Sequence, residues 1–397
     1  MTDRPPNHWQ KSRNTALALG AAAAVGAALL ALRDLDSFFR GYLFAYLCIC
    51  FPTAGFLGLL ALGNLTGGRW SVVSRPILAA GTDTTLLVAI LFVPVALGLE
   101  HIYVWATTEG QQMFEGTKAA WLSPGFFLAR AVAYLVIWLL VAVVIVRSSP
   151  FHRAPGETTG MRRAGAGGLV VLIAVVTMAA FDWGMSLEPE WYSSIYGAIL
   201  AISGVVAAHA FVALSLCRLD VDAIAPLAAL SSSPQLDGAT AEPEAAARIR
   251  GDVGNLLLAF VMLWAYFSVS QLLIIWAGNL PSEIEWYLPR IETSWQWLAI
   301  ALVVLHFAAP FLLLISRQVK RSTRALRGVA ILLLVMYTLN MFWVIKPAFA
   351  PEGFYVSISD VVCLLALGGL WTAAFFWRLE RRWAGVIRRS KSTERGA

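Results

Sequence analysis

Ten apolar runs separated by polar loops dominate this sequence and favour a bundle of membrane-spanning helices over any soluble fold. A helix needs about 20 apolar residues to cross the ~30 Å hydrocarbon core of a bilayer. Charged residues make up only 14% of the chain, whereas soluble domains carry roughly 25%. The sequence therefore predicts an all-α, polytopic membrane protein with about ten transmembrane helices. The predicted helices are 15–32, 38–63, 82–105, 125–146, 165–181, 192–216, 253–277, 295–316, 327–345 and 355–377.

The charges of the loops alternate along the chain and predict the orientation. Arginine and lysine cluster at the N-terminus, in every second loop and in the tail that follows residue 377. The loops between them are mainly acidic, with residues such as Asp36, Glu188 and Glu285. Because positively charged loops stay in the cytoplasm, both termini are predicted to be cytoplasmic and the acidic loops to lie outside. The net charge of +6 is then a feature of topology, and no nucleic-acid partner is expected.

A polar segment in the middle of the chain divides the apolar runs into two groups. Residues 217–252 are rich in Ala, Ser, Pro and charge, as is typical of a flexible linker. The linker separates helices one to six, within 15–216, from helices seven to ten, within 253–377. The segment 1–14 and the basic tail 378–397 are predicted to be cytoplasmic. Interleaved Trp, Val and Ile in the tail favour a continuation of the last helix along the inner leaflet.

Ionisable residues inside apolar runs mark candidate functional positions, since each costs at least ~2.5–3.5 kcal/mol at a helix centre. Arg130 lies early in the fourth predicted helix, and Asp182 closes the fifth. Glu100 and His101 end the third. Their common depth near the outer face predicts one proton-transfer network, with Asp182 as the fixed partner of Arg130 and Glu100 as the proton carrier. Interfacial snorkelling or purely structural pairing is the alternative. Four further polar residues are candidates for substrate binding: Trp183, Glu188, Gln271 and Asn340.

Two histidines lie deeper in the predicted membrane region. His209 and His306 are predicted steps of a proton path, because imidazole titrates near neutral pH. A pair on facing helices also fits a b-type haem, but a buried histidine is more often hydrogen-bonded to a neighbour. The four cysteines form no CxxC or CxxCH motif. No metal or redox cofactor is therefore expected on this chain.

Tryptophan and tyrosine crowd the acidic loops. Their amphipathic rings are typical of the membrane–water interface, so most of them need no functional explanation. The residues concerned are Tyr103, Trp105, Trp183, Trp191, Tyr192, Trp286, Tyr287, Trp295 and Trp297.

Several strings within residues 35–350 resemble a single family. The most specific is FDWGMSLEPEWYSSIYG, supported by LGLEHIYVWA, LGNLTGGRWSVVSRP, HFAAPFLLLISR and LLLAFVMLWAYFSVSQLLIIWAGNLPSEIEWYL. They are similar to the ActF-like subunits, which are the second large membrane subunits of alternative complex III, a bacterial quinol:cytochrome c oxidoreductase. These subunits are related to the NrfD and polysulfide-reductase membrane subunits. Glu100 departs from the pattern, because the family usually has a histidine there.

The resemblance implies a fold, partners and a location. The expected fold is two four-helix bundles flanked by one helix at each end, in the bacterial inner membrane. Haems and iron–sulfur clusters would belong to partner subunits, namely a multihaem cytochrome c and an iron–sulfur subunit, beside a sister NrfD-like subunit. Quinol or quinone is the candidate ligand. The function predicted is that of a quinone-facing or proton-conducting subunit of a respiratory complex. The alternatives are a secondary transporter and a structural membrane anchor.

Overall fold

The computed structural model describes residues 7–149, 159–219 and 242–394, and these contain helices without any strand. Ten of the helices are long and apolar enough to cross a membrane, so the chain is a multi-pass, all-α membrane protein, as predicted. In chain order they are α1 (Asn7–Ala31), α2 (Leu35–Thr66), α3 (Arg69–Leu97), α4 (Pro124–Ser148), α5 (Thr159–Leu187), α6 (Tyr196–Leu216), α7 (Glu244–Gly278), α8 (Trp295–Ile315), α9 (Thr323–Ala348) and α10 (Ile358–Trp383).

The helices form two four-helix bundles and an outer pair, which confirms the predicted architecture. The first bundle contains α2 to α5, and the second contains α6 to α9. The outer helices α1 and α10 lie side by side and pack on α2. They touch at Gly20 and Gly369, where a Cβ on Gly20 would lie 2.8 Å from the backbone nitrogen of Leu370. Glycine at this point allows the two backbones to meet, as small residues commonly do between membrane helices.

The two bundles are joined where α2 crosses α6. A Cβ on Gly55 would lie 2.4 Å from the carbonyl oxygen of Gly204, and a Cβ on Gly204 would lie 2.3 Å from the carbonyl oxygen of Phe51. Both distances are far below van der Waals contact. The crossing therefore depends on the absence of side chains at two glycines, one in each bundle.

The third helix begins at Arg69 rather than near residue 82, which corrects the predicted boundary. Arg75, predicted to lie in a basic loop, is instead 1% exposed within α3, about 9 Å beyond the start of the helix at 1.5 Å per residue. The helix is interrupted where the Thr84 hydroxyl donates to the Gly81 carbonyl at 2.6 Å and the Thr85 hydroxyl to the Thr82 carbonyl at 2.7 Å. Such local bonds compete with the helical ladder.

Helical structure extends into two of the predicted polar segments. α1 begins at Asn7, inside the predicted segment 1–14, and the helix that contains α7 begins at Glu242, inside the predicted linker 217–252. The central part of that linker, 220–241, lies outside the described residues. The last helix continues beyond the apolar span to Glu394, as the pattern of the basic tail predicted.

Most of the aromatic residues predicted for the membrane interface are buried in the protein instead. Tyr192 and Trp297 are exposed, at 66% and 67%. The others pack against one another, because the loops at this end fold over the bundles and bring their rings together. The buried members of the set are Tyr103, Trp105, Trp183, Trp191, Trp286, Tyr287 and Trp295.

We name the two ends of the molecule by their charge. The acidic end carries the loops 32–34, 98–123, 188–195, 279–294 and 349–357, and the basic end is opposite. Ionic and hydrogen-bonded contacts connect the loops of the acidic end to one another.

The orientation of the chain is tested by labelling cysteines at the two ends. Ser232→Cys and Glu285→Cys are expected to react with a membrane-impermeant maleimide from opposite sides, with Glu285→Cys reached from outside, because of the alternating loop charge. The four native cysteines are all buried, which keeps the background low. Labelling both variants in detergent, where both ends of the protein are accessible, controls for the reactivity of each introduced cysteine. Reaction of both positions from the same side would contradict the ten-helix topology.

Candidate functional site

A buried ion pair joins α4 to α5 near the acidic end. Arg130 Nε lies 2.8 Å from Asp182 Oδ2, and Arg130 Nη2 lies 2.9 Å from Asp182 Oδ1. The side chains are 8% and 1% exposed. This two-pronged geometry is the one in which a guanidinium binds a carboxylate most strongly. The structure therefore brings together two of the predicted site residues.

Two neighbours complete the hydrogen bonding of Asp182. The Tyr134 hydroxyl donates to Oδ2 at 2.9 Å, and the Trp121 indole donates to Oδ1 at 3.1 Å. Trp121 also accepts from Arg130 Nη1 through its carbonyl, at 2.9 Å, and its ring lies 4.0 Å from the guanidinium carbon. A carboxylate accepts about four hydrogen bonds, and Asp182 receives four. It has no capacity left for a ligand, which is the geometry of a structural lock between helices.

The other two residues of the predicted network lie in a separate cluster. His101 Nδ1 lies 2.5 Å from Asp36 Oδ1, and its ring stacks on Phe39 with centroids 5.1 Å apart. Glu100 is exposed and forms no hydrogen bond or ion pair with the described residues. The four predicted residues thus do not form one network of direct contacts. Glu100 and His101 follow α3 in a separate short helix, Leu99–Ile102, which faces Asp36 of α2 rather than α4 and α5.

A second buried arginine was not predicted. Arg290 is 0% exposed and binds Glu188 through Nη2 at 2.9 Å and Nη1 at 3.3 Å. It also donates to the carbonyl of Val344 at 2.9 Å, and its guanidinium lies 3.7 Å above the Trp286 ring. Glu188, predicted to bind substrate, is thereby committed to an ion pair. The signal in the sequence was a single arginine within a loop of acidic and aromatic residues.

Another buried pair lies where α9 meets α10. Lys346 Nζ lies 2.9 Å from Asp360 Oδ1, with side chains 5% and 2% exposed. Asp360 also accepts from the backbone amide of Ser357 at 2.9 Å. The pair fastens the outer helix α10 to the second bundle. Asp360 lies in the first turn of α10, and the sequence did not indicate that it pairs with Lys346.

A cavity of about 220 Å³ lies inside the second bundle, in the half nearer the acidic end. Its walls are mainly aromatic and aliphatic, with Trp264, Trp286 and Trp343 among them. Two of the four predicted substrate-binding residues, Gln271 and Asn340, line it. Trp183 does not, because its ring packs against Phe92 and Tyr46 within the first bundle. We call this space the second-bundle cavity.

Few polar groups face the second-bundle cavity, and most of them are connected. Gln271 Nε2 donates to the Tyr287 hydroxyl oxygen at 3.2 Å, and the Ser193 hydroxyl donates to Gln271 Oε1, also at 3.2 Å. On another wall, Asn340 Nδ2 donates to the Ser203 hydroxyl at 3.3 Å. Burial raises the pKa of Tyr287 to about 12, because desolvation disfavours the phenolate. An apolar space with a few fixed polar groups is typical of a small-molecule site.

The second-bundle cavity reaches the lipid-facing surface between α7 and α8. These helices pack together toward the basic end and separate toward the acidic end. Lining residues at the gap, Val269, Leu272 and Val303, are 52%, 47% and 62% exposed. An apolar molecule dissolved in the bilayer therefore has a lateral entrance to the cavity.

The two deeper histidines lie apart from each other. His209 Nε2 bonds to the carbonyl of Val253 at 3.0 Å, and its ring packs against Phe260. His306 lies in a π-helical segment, Leu302–Ala308, and its ring meets Trp264 edge-on at 4.3 Å. Pro310 explains the widened helix, because it has no N–H for the carbonyl four residues earlier. No hydrogen bond or ring contact joins the two histidines within the described residues.

The fold and the cavity define a class: a multi-pass helical membrane protein of two four-helix bundles with a lipid-accessible internal site. Within the residues that the structure describes, no group of three His, Cys, Asp or Glu side chains is placed to hold a metal ion. No model of a known protein family and no curated protein matches the sequence.

Proposed function

We propose that this chain is a membrane subunit of a quinol:electron-acceptor oxidoreductase and that its second bundle receives the quinone. The observation that carries the proposal is the second-bundle cavity, with its lateral entrance between α7 and α8. A quinone partitions into the bilayer and reaches its enzyme from the lipid. A site for such a ligand needs an apolar path, flat walls for the ring and a small number of polar groups for its oxygens.

The walls of the second-bundle cavity match these needs. Trp264, Trp286 and Trp343 contribute aromatic rings to the walls, and Gln271 and Tyr287 supply the polar groups. Transporters usually place charged groups near the midplane, where substrate arrives from water. Here the described residues of the lining include no Asp, Glu, Lys or Arg and the opening faces lipid, so a quinone site is the better-supported function.

Oxidation of a quinol releases two protons for two electrons, and the acidic end provides groups that would pass them to solvent. The Arg130–Asp182 pair serves as a lock in this proposal, because all the acceptor positions of the carboxylate are used. Proton transfer is assigned to Glu100 and to the His101–Asp36 pair at the surface. The deeper histidines, His209 and His306, are proposed as internal steps.

The proton-carrying role of Glu100 is tested by Glu100→Gln. Because this carboxylate is exposed and unpaired within the described residues, the variant is expected to assemble normally, to turn over more slowly and to show an altered pH profile. Quinol:cytochrome c activity and proton release are measured in proteoliposomes. Glu109→Gln, an exposed acid in the same loop, is the control and is expected to behave as the wild type. Equal pH profiles for all three proteins would contradict the role.

Membership of a respiratory complex is tested by gentle purification from native membranes. Electron acceptors, haems and iron–sulfur clusters are assigned to partner subunits in this proposal. The complex that co-purifies with this chain is expected to contain a multihaem cytochrome and to oxidise quinol. The isolated chain is expected to show no Soret absorption and no stoichiometric iron. A b-type haem on the isolated chain that is lost in His209→Ala or His306→Ala would overturn the assignment of cofactors. Recovery of the chain without redox partners would overturn the proposed complex.

A further inference from the structure

Gln271 separates two spaces of different character. On one side is the apolar second-bundle cavity, and on the other is a polar pocket of about 180 Å³ at the acidic end. Ser193 and Glu283 line the polar pocket, and Ser193 donates to Gln271 Oε1. The Gln271 side chain is buried. The amide has its oxygen toward Ser193 and its NH2 group toward Tyr287.

This arrangement determines which way the Tyr287 hydroxyl donates. Its oxygen accepts from Gln271 Nε2 at 3.2 Å, so its hydrogen points away from the amide. The hydroxyl forms no second hydrogen bond within the described residues. Tyr287 lines the second-bundle cavity and is 8% exposed. A buried donor without a partner is unfavourable, and an acceptor on a ligand in the cavity would relieve it.

We propose that Tyr287 donates a hydrogen bond to a ring carbonyl oxygen of a quinone in the second-bundle cavity, and that Gln271 is the positioning residue that directs this donor. The quinone class of the ligand rests on the proposed function, and the recognition chemistry is new. Burial keeps the phenol protonated, with its pKa raised to about 12. The Tyr287 hydroxyl therefore keeps its proton, and can donate a hydrogen bond, throughout the physiological pH range.

The donor is tested by measuring the affinity of decylubiquinone for the full chain in lipid nanodiscs, through quenching of tryptophan fluorescence. Tyr287→Phe is expected to bind about two- to tenfold more weakly, the range for one hydrogen bond between neutral groups. Tyr266→Phe is the matched control. Tyr266 lies on α7, is 65% exposed and is outside the lining of the second-bundle cavity. Its affinity is expected to equal that of the wild type.

The positioning role is tested by Gln271→Glu, which keeps the size of the side chain. An ionised carboxylate accepts from Tyr287 and donates nothing, so it turns the hydroxyl away from the ligand. Affinity is expected to fall as far as in Tyr287→Phe at high pH and to recover as the pH is lowered toward about 5, where the carboxyl group protonates. The wild type is expected to show a flat profile, which controls for the other ionisable groups around this position: Glu188, Glu283, Arg290, Tyr192, Tyr196 and Tyr287.

The outcomes separate the two proposals. Equal affinities for the wild type and Tyr287→Phe, with saturable binding to both, would overturn this inference and leave the proposed function intact. A loss of affinity in Gln271→Glu that is the same at every pH would overturn the positioning role. Absence of saturable quenching in the wild type would overturn the proposed function and this inference together.

Discussion

Asp182→Asn is expected to lower the free energy of unfolding by about 3–5 kcal/mol, the cost of leaving one member of a buried ion pair without its partner. The Arg130 guanidinium is 8% exposed and would keep its full charge. Asparagine has the size of aspartate, but its NH2 group would face the guanidinium in either orientation, together with the Trp121 donor in one and the Tyr134 donor in the other. The expected result is a low yield of monodisperse protein and a lower unfolding temperature.

The matched control for this prediction is a surface pair at the same end of the molecule. Lys118 Nζ lies 3.2 Å from Glu190 Oε2, with side chains 41% and 71% exposed. Exposed pairs contribute at most about 1 kcal/mol, so Glu190→Gln is expected to change the unfolding temperature little. Thermal unfolding followed by size-exclusion fluorescence compares the two variants. Equal stability of Asp182→Asn and Glu190→Gln would contradict the assignment of Asp182 as a structural lock.

Gly204→Ala is expected to destabilise the chain by about 3 kcal/mol, at the upper end of the range for overpacking. The added methyl group would lie 2.3 Å from the carbonyl oxygen of Phe51, which is backbone and cannot rotate away. The helices α2 and α6 would have to separate, and the junction between the two bundles would weaken. The measurement is the unfolding temperature, together with resistance to protease in detergent.

Gly368→Ala is the control, because no neighbouring helix among the described residues comes within 4 Å of a Cβ at that position of α10. Alanine is favoured over glycine inside a helix by up to about 1 kcal/mol. Replacing glycine by alanine is thus expected to lower the stability of the chain at position 204 and to raise it at position 368. Destabilisation of equal size at both would mean that the close approach of Gly55 and Gly204 does not hold the bundles together.

The number, order and approximate bounds of the helices followed from the sequence, because each apolar run must satisfy its backbone hydrogen bonds internally in lipid. The main error, the start of α3, came from Arg75. An arginine beside Pro76 and just after a Gly-Gly turn is typical of a loop, yet this side chain is buried in a helix. Local composition does not reveal burial that arises from neighbours distant in sequence.

The site was only partly predictable for the same reason. Arg130 and Asp182 stood out because charge within an apolar run is expensive. His101 and Asp36 were separate features of the sequence, and only the packing of α2 against the residues after α3 brings them together. Tyr287 was assigned to the membrane interface with the other loop aromatics, since nothing in its sequence context distinguishes a buried phenol from an interfacial one.

Photolabelling with an azido-quinone in membranes tests the central claim, that the second bundle binds quinone, most directly. The account predicts labelled peptides from α7 around Gln271 and from α8 around Val303, with labelling suppressed by excess unmodified quinone. Labelling that arises from random partition of the probe into lipid would not be suppressed by excess quinone. Labelling confined to the apolar groove lined by Gly58, Leu172 and Phe267, or the absence of any label that competes with quinone, would contradict the account.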